Sequence, residues 1–257
     1  MALTVRGLVR SRSRAAAAIA EGLVTVDGKP VIRASTWVGP GQALAVAGVD
    51  HYVSRGAHKL LAALDAFGVP VSGRTALDAG ASTGGFSQVL LERGAETVVA
   101  LDVGHGQLSP VLAGEGRLRS FEGVNVRALT PERLAELLGR PVRPELVVAD
   151  LSFISLTQVI PALRAVAEKG ADFVLLVKPQ FEVGRSGIRE GVVRDARLWE
   201  DVLTAVLWSG FDAGLGVAGV IRSPIVGSHG NAEFLVRLTT RGTDPGQWRD
   251  RVREVVR

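Results

Sequence analysis

From residue 74 onward the chain alternates short apolar runs with segments of helical periodicity, and this alternation constrains the fold more than any other feature. TALDAG (75–80), TVVALDVG (97–104), LRSFEGV (118–124), ELVVADLS (145–152) and DFVLLVKP (172–179) read as strands, followed by GLGVAGVIRS (214–223) and EFLVRLTT (233–240). Helices fit between them at 85–93, 130–138, 155–169 and 195–209. Strands that alternate with helices form a doubly wound α/β sheet, with ligands at the carboxyl ends of the strands. The last two strands have no helix between them, so an antiparallel hairpin is expected there. The tail from Asp244 to Val256 reads as a closing helix concerned with packing.

The first 49 residues are different. They hold six basic residues against two acidic ones, a net of +4, while the remaining 208 balance at 24 against 24. Within SRSRAAAAIAEGLVTVDGKPV (11–31), Ser11 or Ser13 can cap an Ala-rich helix and Gly22 can end it. LVTV then alternates as a strand, and Asp27-Gly28 is a hairpin-turn signal. The pattern predicts a small α+β module at 1–49, a linker at 50–58 and the α/β domain at 59–257. Arg6, Arg10, Arg12, Arg14 and Lys29 would give the module a basic surface suited to phosphates, hence to folded RNA read by shape and backbone.

Composition removes several classes. With no cysteine there is no disulfide, thiolate nucleophile or Cys-based zinc site, and four scattered histidines argue against a metal centre. The longest uncharged run, residues 34–49, is interrupted by Pro40 and three glycines and is too short to span a bilayer. Arg6, Arg10, Arg12 and Arg14 surround no apolar signal core. The expectation is a cytoplasmic protein with no membrane partner; the sequence leaves the oligomeric state open, with a monomer preferred.

Candidate chemistry sits at the strand ends. LDAGASTGGF (77–86) is a glycine-rich strand-to-helix turn in which Gly80, Ala81, Ser82, Thr83, Gly84 and Gly85 let backbone approach a ligand, with Asp78 just before it. Its spacing is not G-x-G-x-x-G, which argues against a dinucleotide dehydrogenase. Asp102, at the end of the second strand, suits ribose hydroxyls. Asp150 ends the fourth strand, Lys178 the fifth, and Glu233 precedes the last. Lysine is scarce here, 4 residues against 26 arginines, yet Lys178 closes an apolar strand and Lys59 opens a helical segment. A desolvated lysine can give up its proton, which an arginine effectively cannot. Taken alone, Lys59 reads more readily as an ordinary surface lysine.

Two resemblances follow. Residues 7–31 are similar to the S-four-type RNA-binding domain in the run of Gly-Leu, Ser-Arg, helix and Gly-x-Val-x-Val-Asp-Gly. An Arg-Leu-Asp-type stretch precedes this pattern in the family and is absent ahead of MALTVRG, so either the start codon is assigned short or the first helix is trimmed. SRGAHKL, LDAGASTGGF, ALDVGHGQL, VVADLSFISL, LVKPQFEVG and GNAEF together resemble the TlyA family, whose members carry both haemolysin and ribosomal RNA 2′-O-methyltransferase names. Its catalytic domain is similar to FtsJ-type RNA ribose methyltransferases.

That resemblance implies a Rossmann-like methyltransferase sheet, S-adenosyl-L-methionine as cofactor and cytidine ribose in ribosomal RNA as substrate, in the large subunit in preference to both. It implies a Lys-Asp-Lys-Glu tetrad of Lys59, Asp150, Lys178 and Glu233. It also implies cofactor binding at Asp78 and at Gly80 through Gly85, with Asp102 toward the ribose and Asn125 toward the adenine. Arg55, in SRGAHKL, joins the RNA-facing set. In such a site Lys178 would act as base on the 2′-hydroxyl, because desolvation and a nearby sulfonium both disfavour its ammonium form. Two rival readings remain: a membrane-active haemolysin, and an RNA-binding protein that keeps the fold without catalysis.

Overall fold

The computed structural model describes residues 2–6, 8–9, 12–31, 33–46, 51–183, 191–227 and 230–257. Ser11, Arg10, the side chain of Arg14 and His229 lie outside the described residues. The chain divides into two compact units, residues 1–52 and 53–257.

In the first unit, α1 (Ala2–Val5) and α2 (Arg12–Ala20) accompany a three-stranded antiparallel sheet of β1 (Val24–Val26), β2 (Lys29–Pro30) and β3 (Leu44–Val46), in the order β2-β1-β3. Gly22 (φ 72°) turns the chain out of α2, and Leu23 N–H closes onto the Ala18 carbonyl. Asp27 and Gly28 both have positive φ, 50° and 77°, as the two-residue turn pairing Val26 with Lys29 requires. Leu3, Val9, Ala15, Ala18 and Val24 form its small core. Neither α1 nor β3 stood out in the sequence, since four- and three-residue elements are too short to display a period.

The second unit is a seven-stranded sheet. Its strands are β4 (Thr75–Ala79), β5 (Thr97–Leu101), β6 (Leu118–Phe121), β7 (Leu146–Ala149), β8 (Asp172–Val177), β9 (Gly216–Arg222) and β10 (Phe234–Thr239), in the order β6-β5-β4-β7-β8-β10-β9. The first five are parallel, and β10 runs antiparallel between β8 and β9. All four residues of β7 and all six of β8 are buried, as expected for strands covered on both faces. The covering helices are α3 (Gly56–Phe67), α4 (Gly85–Glu92), α5 (Pro131–Leu138), α6 (Leu156–Val166), α7 (Pro179–Glu182), α8 (Ala196–Asp212) and α9 (Arg249–Val255). Local chemistry sets their ends. For α5, Thr130 Oγ1 accepts from Arg133 N–H, Pro131 occupies the first turn and Gly139 (φ 71°) stops the helix. A cap of this kind contributes about 1 kcal/mol.

Two sequence expectations need adjusting. α3 begins at Gly56, so residues 56–58, read as linker, are helical. α6 ends at Val166 rather than at 169, with Pro161 inside it.

The topology decides what can meet. Strand order reverses between β4 and β7, which opens a crevice at their carboxyl ends. β10 pairs Phe234 with Val177 in antiparallel register, and one further step along that register sets Glu233 opposite Lys178. Only an antiparallel insertion brings the start of a strand to this edge of the sheet.

Candidate active site

A cleft of about 290 Å³ lies over the carboxyl edge, lined by Lys59, Asp150, Lys178 and Glu233 together with Arg55 and, from the glycine-rich turn, residues 80–83 and Gly85. The two lysines meet the two carboxylates pairwise. Lys59 Nζ donates to Glu233 Oε2 at 2.5 Å, with both residues buried. This disposes of the surface-lysine reading, because Lys59 is only 8% exposed, on the face of α3 turned to the sheet. Lys178 Nζ lies 2.6 Å from Asp150 Oδ1, yet its directed hydrogen bond goes to Ser152 Oγ at 3.0 Å. Asp150 Oδ1 is itself buried, so the ion pair with Lys178 is partly withdrawn from solvent.

Glycine makes the cleft possible. Gly80 has φ 84°, and a Cβ there would come within 2.6 Å of the Asp150 carbonyl oxygen. At Gly85 a Cβ would overlap Ser54 Oγ, and at Gly227 one would overlap Glu233 Oε1. Ser82 adopts a left-handed φ of 48°, unusual for a non-glycine residue, and its N–H points at Asp102. Asp102 accepts from Ser82 N–H through Oδ2 and from Gly104 N–H through Oδ1, each at 2.7 Å. That fixes its carboxylate beside the turn, and each oxygen keeps a lone pair for another donor.

Three of the sequence-predicted cofactor residues lie elsewhere. Asp78 is fully buried beneath the turn, where Oδ2 accepts from Ser87 Oγ of α4 at 2.7 Å. Burial pushes its carboxyl up to about 7, opposed in part by the Ser87 hydrogen bond and reinforced by Asp150 and Asp102. Gly84 faces away from the cleft, and a Cβ there would strike Leu112 and Leu108. Asn125 caps a short 3₁₀ turn by accepting from Arg127 N–H, outside the cleft lining.

The structure also brings in residues that the sequence reading passed over. Ser54, Ser152 and Gly227 line the cleft, and Ser152 holds Lys178. Next to it Phe153 is 90% exposed with φ 66°, its ring 5.1 Å from that of Phe181. Ser152 and Phe153 lie within the VVADLSFISL stretch, but only coordinates reveal a left-handed Phe. Among the described residues no group of His, Cys, Asp and Glu could hold a metal ion.

Of the basic set in the first unit, Arg6, Arg12 and Lys29 are exposed. Arg6 is committed internally: Nη1 donates to the Gln42 carbonyl and Nη2 to the Gly39 carbonyl, both at 2.6 Å.

Residues 52–240 match the FtsJ-like methyltransferase family and residues 2–44 match the S4 domain. The chain is 48% identical over 242 residues to the 16S/23S rRNA (cytidine-2′-O)-methyltransferase TlyA of Mycobacterium tuberculosis, covering 93% of this chain and 88% of that one. The chain belongs to the TlyA family of FtsJ-like methyltransferases. A second relative, the 23S rRNA (cytidine-2′-O)-methyltransferase TlyA of Campylobacter jejuni, is 35% identical over 192 residues, covering 71% of this chain and 69% of its own. Among solved structures, a hemolysin-named protein of Streptococcus thermophilus superposes with a TM-score of 0.74 at 38% identity, across 99% of this chain and 92% of that one. The TlyA assignment therefore extends over both units, and the cleft belongs to the methyltransferase half. Among the described residues no helix is long and apolar enough to cross a membrane.

Proposed function

We propose that this TlyA-family enzyme methylates the ribose 2′-hydroxyl of a cytidine in ribosomal RNA, using S-adenosyl-L-methionine. The observation that carries the proposal is the meeting of two lysine–carboxylate pairs in one cleft beside a glycine-rich turn. The turn fits the cofactor. Gly80 permits the left-handed turn and the close approach to the Asp150 backbone that shape the cradle, and Asp102 holds a fixed carboxylate for ribose hydroxyls. When bound, the cofactor supplies an electrophilic methyl on a sulfonium.

The chain's own residues do the rest. Lys178 takes the proton of the 2′-hydroxyl as that oxygen becomes the nucleophile, since a hydroxyl attacks poorly while it keeps its proton. Asp150 and Ser152 hold the Lys178 amine at the end of β8. Lys59, fixed by Glu233, directs N–H bonds toward the same oxygen and steadies its developing charge. Two ammonium groups and two carboxylates sum to zero, and a neutral Lys178 leaves −1 to face a cationic cofactor. Holding the hydroxyl in line supplies the largest share of the acceleration. Arg55, exposed on the cleft lining, suits an RNA phosphate. Phe153 offers a bare ring to an unstacked base. The first unit, with Arg12 and Lys29 outward, supplies affinity through phosphates.

The test is transfer of radiolabelled methyl from S-adenosyl-L-methionine to purified 30S and 50S subunits, beside the Lys178→Ala protein. Label in 50S alone supports the large-subunit expectation, and label in both subunits overturns it. Cofactor binding with no transfer to either would mean that a different RNA or assembly state is the substrate.

A further inference from the structure

The KPQFE stretch contributes Lys178 to the cleft, but it also contains an acid that the reaction does not use. Glu182 is the last residue of α7, the single turn that follows Lys178 directly. Its Oε2 accepts from Ser155 Oγ at 2.5 Å, and its Oε1 accepts from the Leu156 N–H at 2.8 Å. Ser155 and Leu156 begin α6, five and six residues beyond Asp150. One carboxylate thus bridges the segment leaving β8 to the segment leaving β7.

Resting on the reading above, we infer that Glu182 is a positioning residue that locks the Lys178 segment to the Asp150 segment and sets the alignment of that pair. Two contacts nearer the cleft run in parallel with it. Phe181 packs on Phe153, and Lys178 Nζ reaches Ser152 Oγ. Those contacts are a ring pair with an exposed member and a single bond to a rotatable hydroxyl. The Glu182 bridge is the bidentate one and includes a backbone N–H, so it determines where the loop between Asp150 and Ser155 sits. Burial raises the Glu182 carboxyl above its ordinary value, while the Leu156 N–H and Ser155 hydroxyl pull it back. A carboxylate kept in an unfavourable setting by two bonds, to Ser155 and Leu156 at the start of α6, is in a structural post with a defined partner segment.

The experiment compares Glu182→Ala and Glu182→Gln in the full chain by steady-state methyl transfer and by hydrogen exchange at residues 151–156. Gln can accept from Leu156 N–H and donate to Ser155 Oγ, so it preserves the bridge. Expected for Glu182→Ala is a kcat lower by on the order of 10²-fold with KM for cofactor nearly unchanged, together with faster exchange at 151–156 and unchanged exchange in β4 and β5. Glu182→Gln should return both readouts to within a few-fold of wild type. Unchanged exchange at 151–156 in Glu182→Ala overturns the inference whatever the activity. Faster exchange with an unchanged kcat overturns it too, as does a rise in KM alone. If the wild-type protein itself transferred no methyl, the reading of its substrate would fall, and the exchange data would still decide whether the bridge exists.

Discussion

Lys178 Nζ stands 2.6 Å from Asp150 Oδ1, at the ends of two adjacent parallel strands. Carboxyl-end adjacency of β7 and β8 makes the pair, and the antiparallel β10 adds Glu233 from the other side. The amine is therefore held by charge while remaining on the wall of an open cleft.

Arginine at position 178 would keep the ion pair but could not surrender a proton. Lys178→Arg is expected to lower the rate of methyl transfer about 10²–10⁴-fold, the usual contribution of a positioned general base. Cofactor affinity, followed by calorimetry, should change by no more than a few-fold. A variant that transferred methyl at close to the wild-type rate would remove Lys178 from the role of base.

Asp78 links pH to stability with a definite sign. Its carboxyl is raised from 3.8 to about 7 by burial. Below about pH 4 the group is protonated in both folded and unfolded chains, so its contribution is fully present. Between about pH 4 and 7 only the folded chain holds the proton, and stability falls as pH rises, by about 4 kcal/mol in all. Asp78→Asn removes this dependence. Urea unfolding of both proteins without cofactor should give curves that converge near pH 4 and separate in the mutant's favour at about pH 8. A difference that stayed flat across that range would contradict the assignment.

The fold was legible because its signals are long or periodic. Five parallel strands, the final antiparallel pair, the Gly22 stop and the Asp27-Gly28 turn all declare themselves locally. The cleft was legible in part. Each tetrad residue sits at a strand end or near a helix start, but the pairing of Lys59 with Glu233 spans 174 positions and depends on β10 being inserted backwards. Ser152 and Glu182 escaped notice because their value is entirely in what they touch. Asp78 was placed on the cofactor by its position in the family's motif, whereas its side chain is buried beneath the turn against Ser87 of α4.

At the opposite end of the sheet a second charge cluster holds the fold and takes no part in the chemistry. Asp172 Oδ1 accepts from Arg237 Nε and Nη2, and Oδ2 accepts from Arg74 Nη1, while Arg237 Nη1 also donates to the Phe67 carbonyl at the end of α3. Arg237→Met would leave Asp172 with one partner and the Phe67 carbonyl without its guanidinium, costing about 2–4 kcal/mol in denaturant unfolding. Asp172 and Lys178 are the length of β8 apart, about 20 Å, so methyl transfer well below the melting temperature should be unaffected. Lost activity in a folded Arg237→Met protein would mean that the two ends of the sheet are coupled.

Two arginines of the first unit should separate by mechanism. Arg12 is exposed on α2, and each phosphate contact adds about 0.7–0.9 to the dependence of log affinity on log salt. Arg12→Gln should therefore weaken binding to ribosomal RNA and lower that slope by about one contact, with folding unchanged. Arg6 ties the loop at 39–42 to the end of α1 through two carbonyls, and Asp27 braces the same loop by accepting from Gln42 Nε2 and Ala43 N–H. Arg6→Gln cannot span both carbonyls, so it should destabilise the unit by about 1–3 kcal/mol while the salt slope of the folded fraction stays the same. Circular dichroism melts read the first effect and filter binding across a salt series reads the second. If Arg6→Gln lowered the slope and left the melt alone, Arg6 would belong on the RNA and its carbonyl contacts would be incidental.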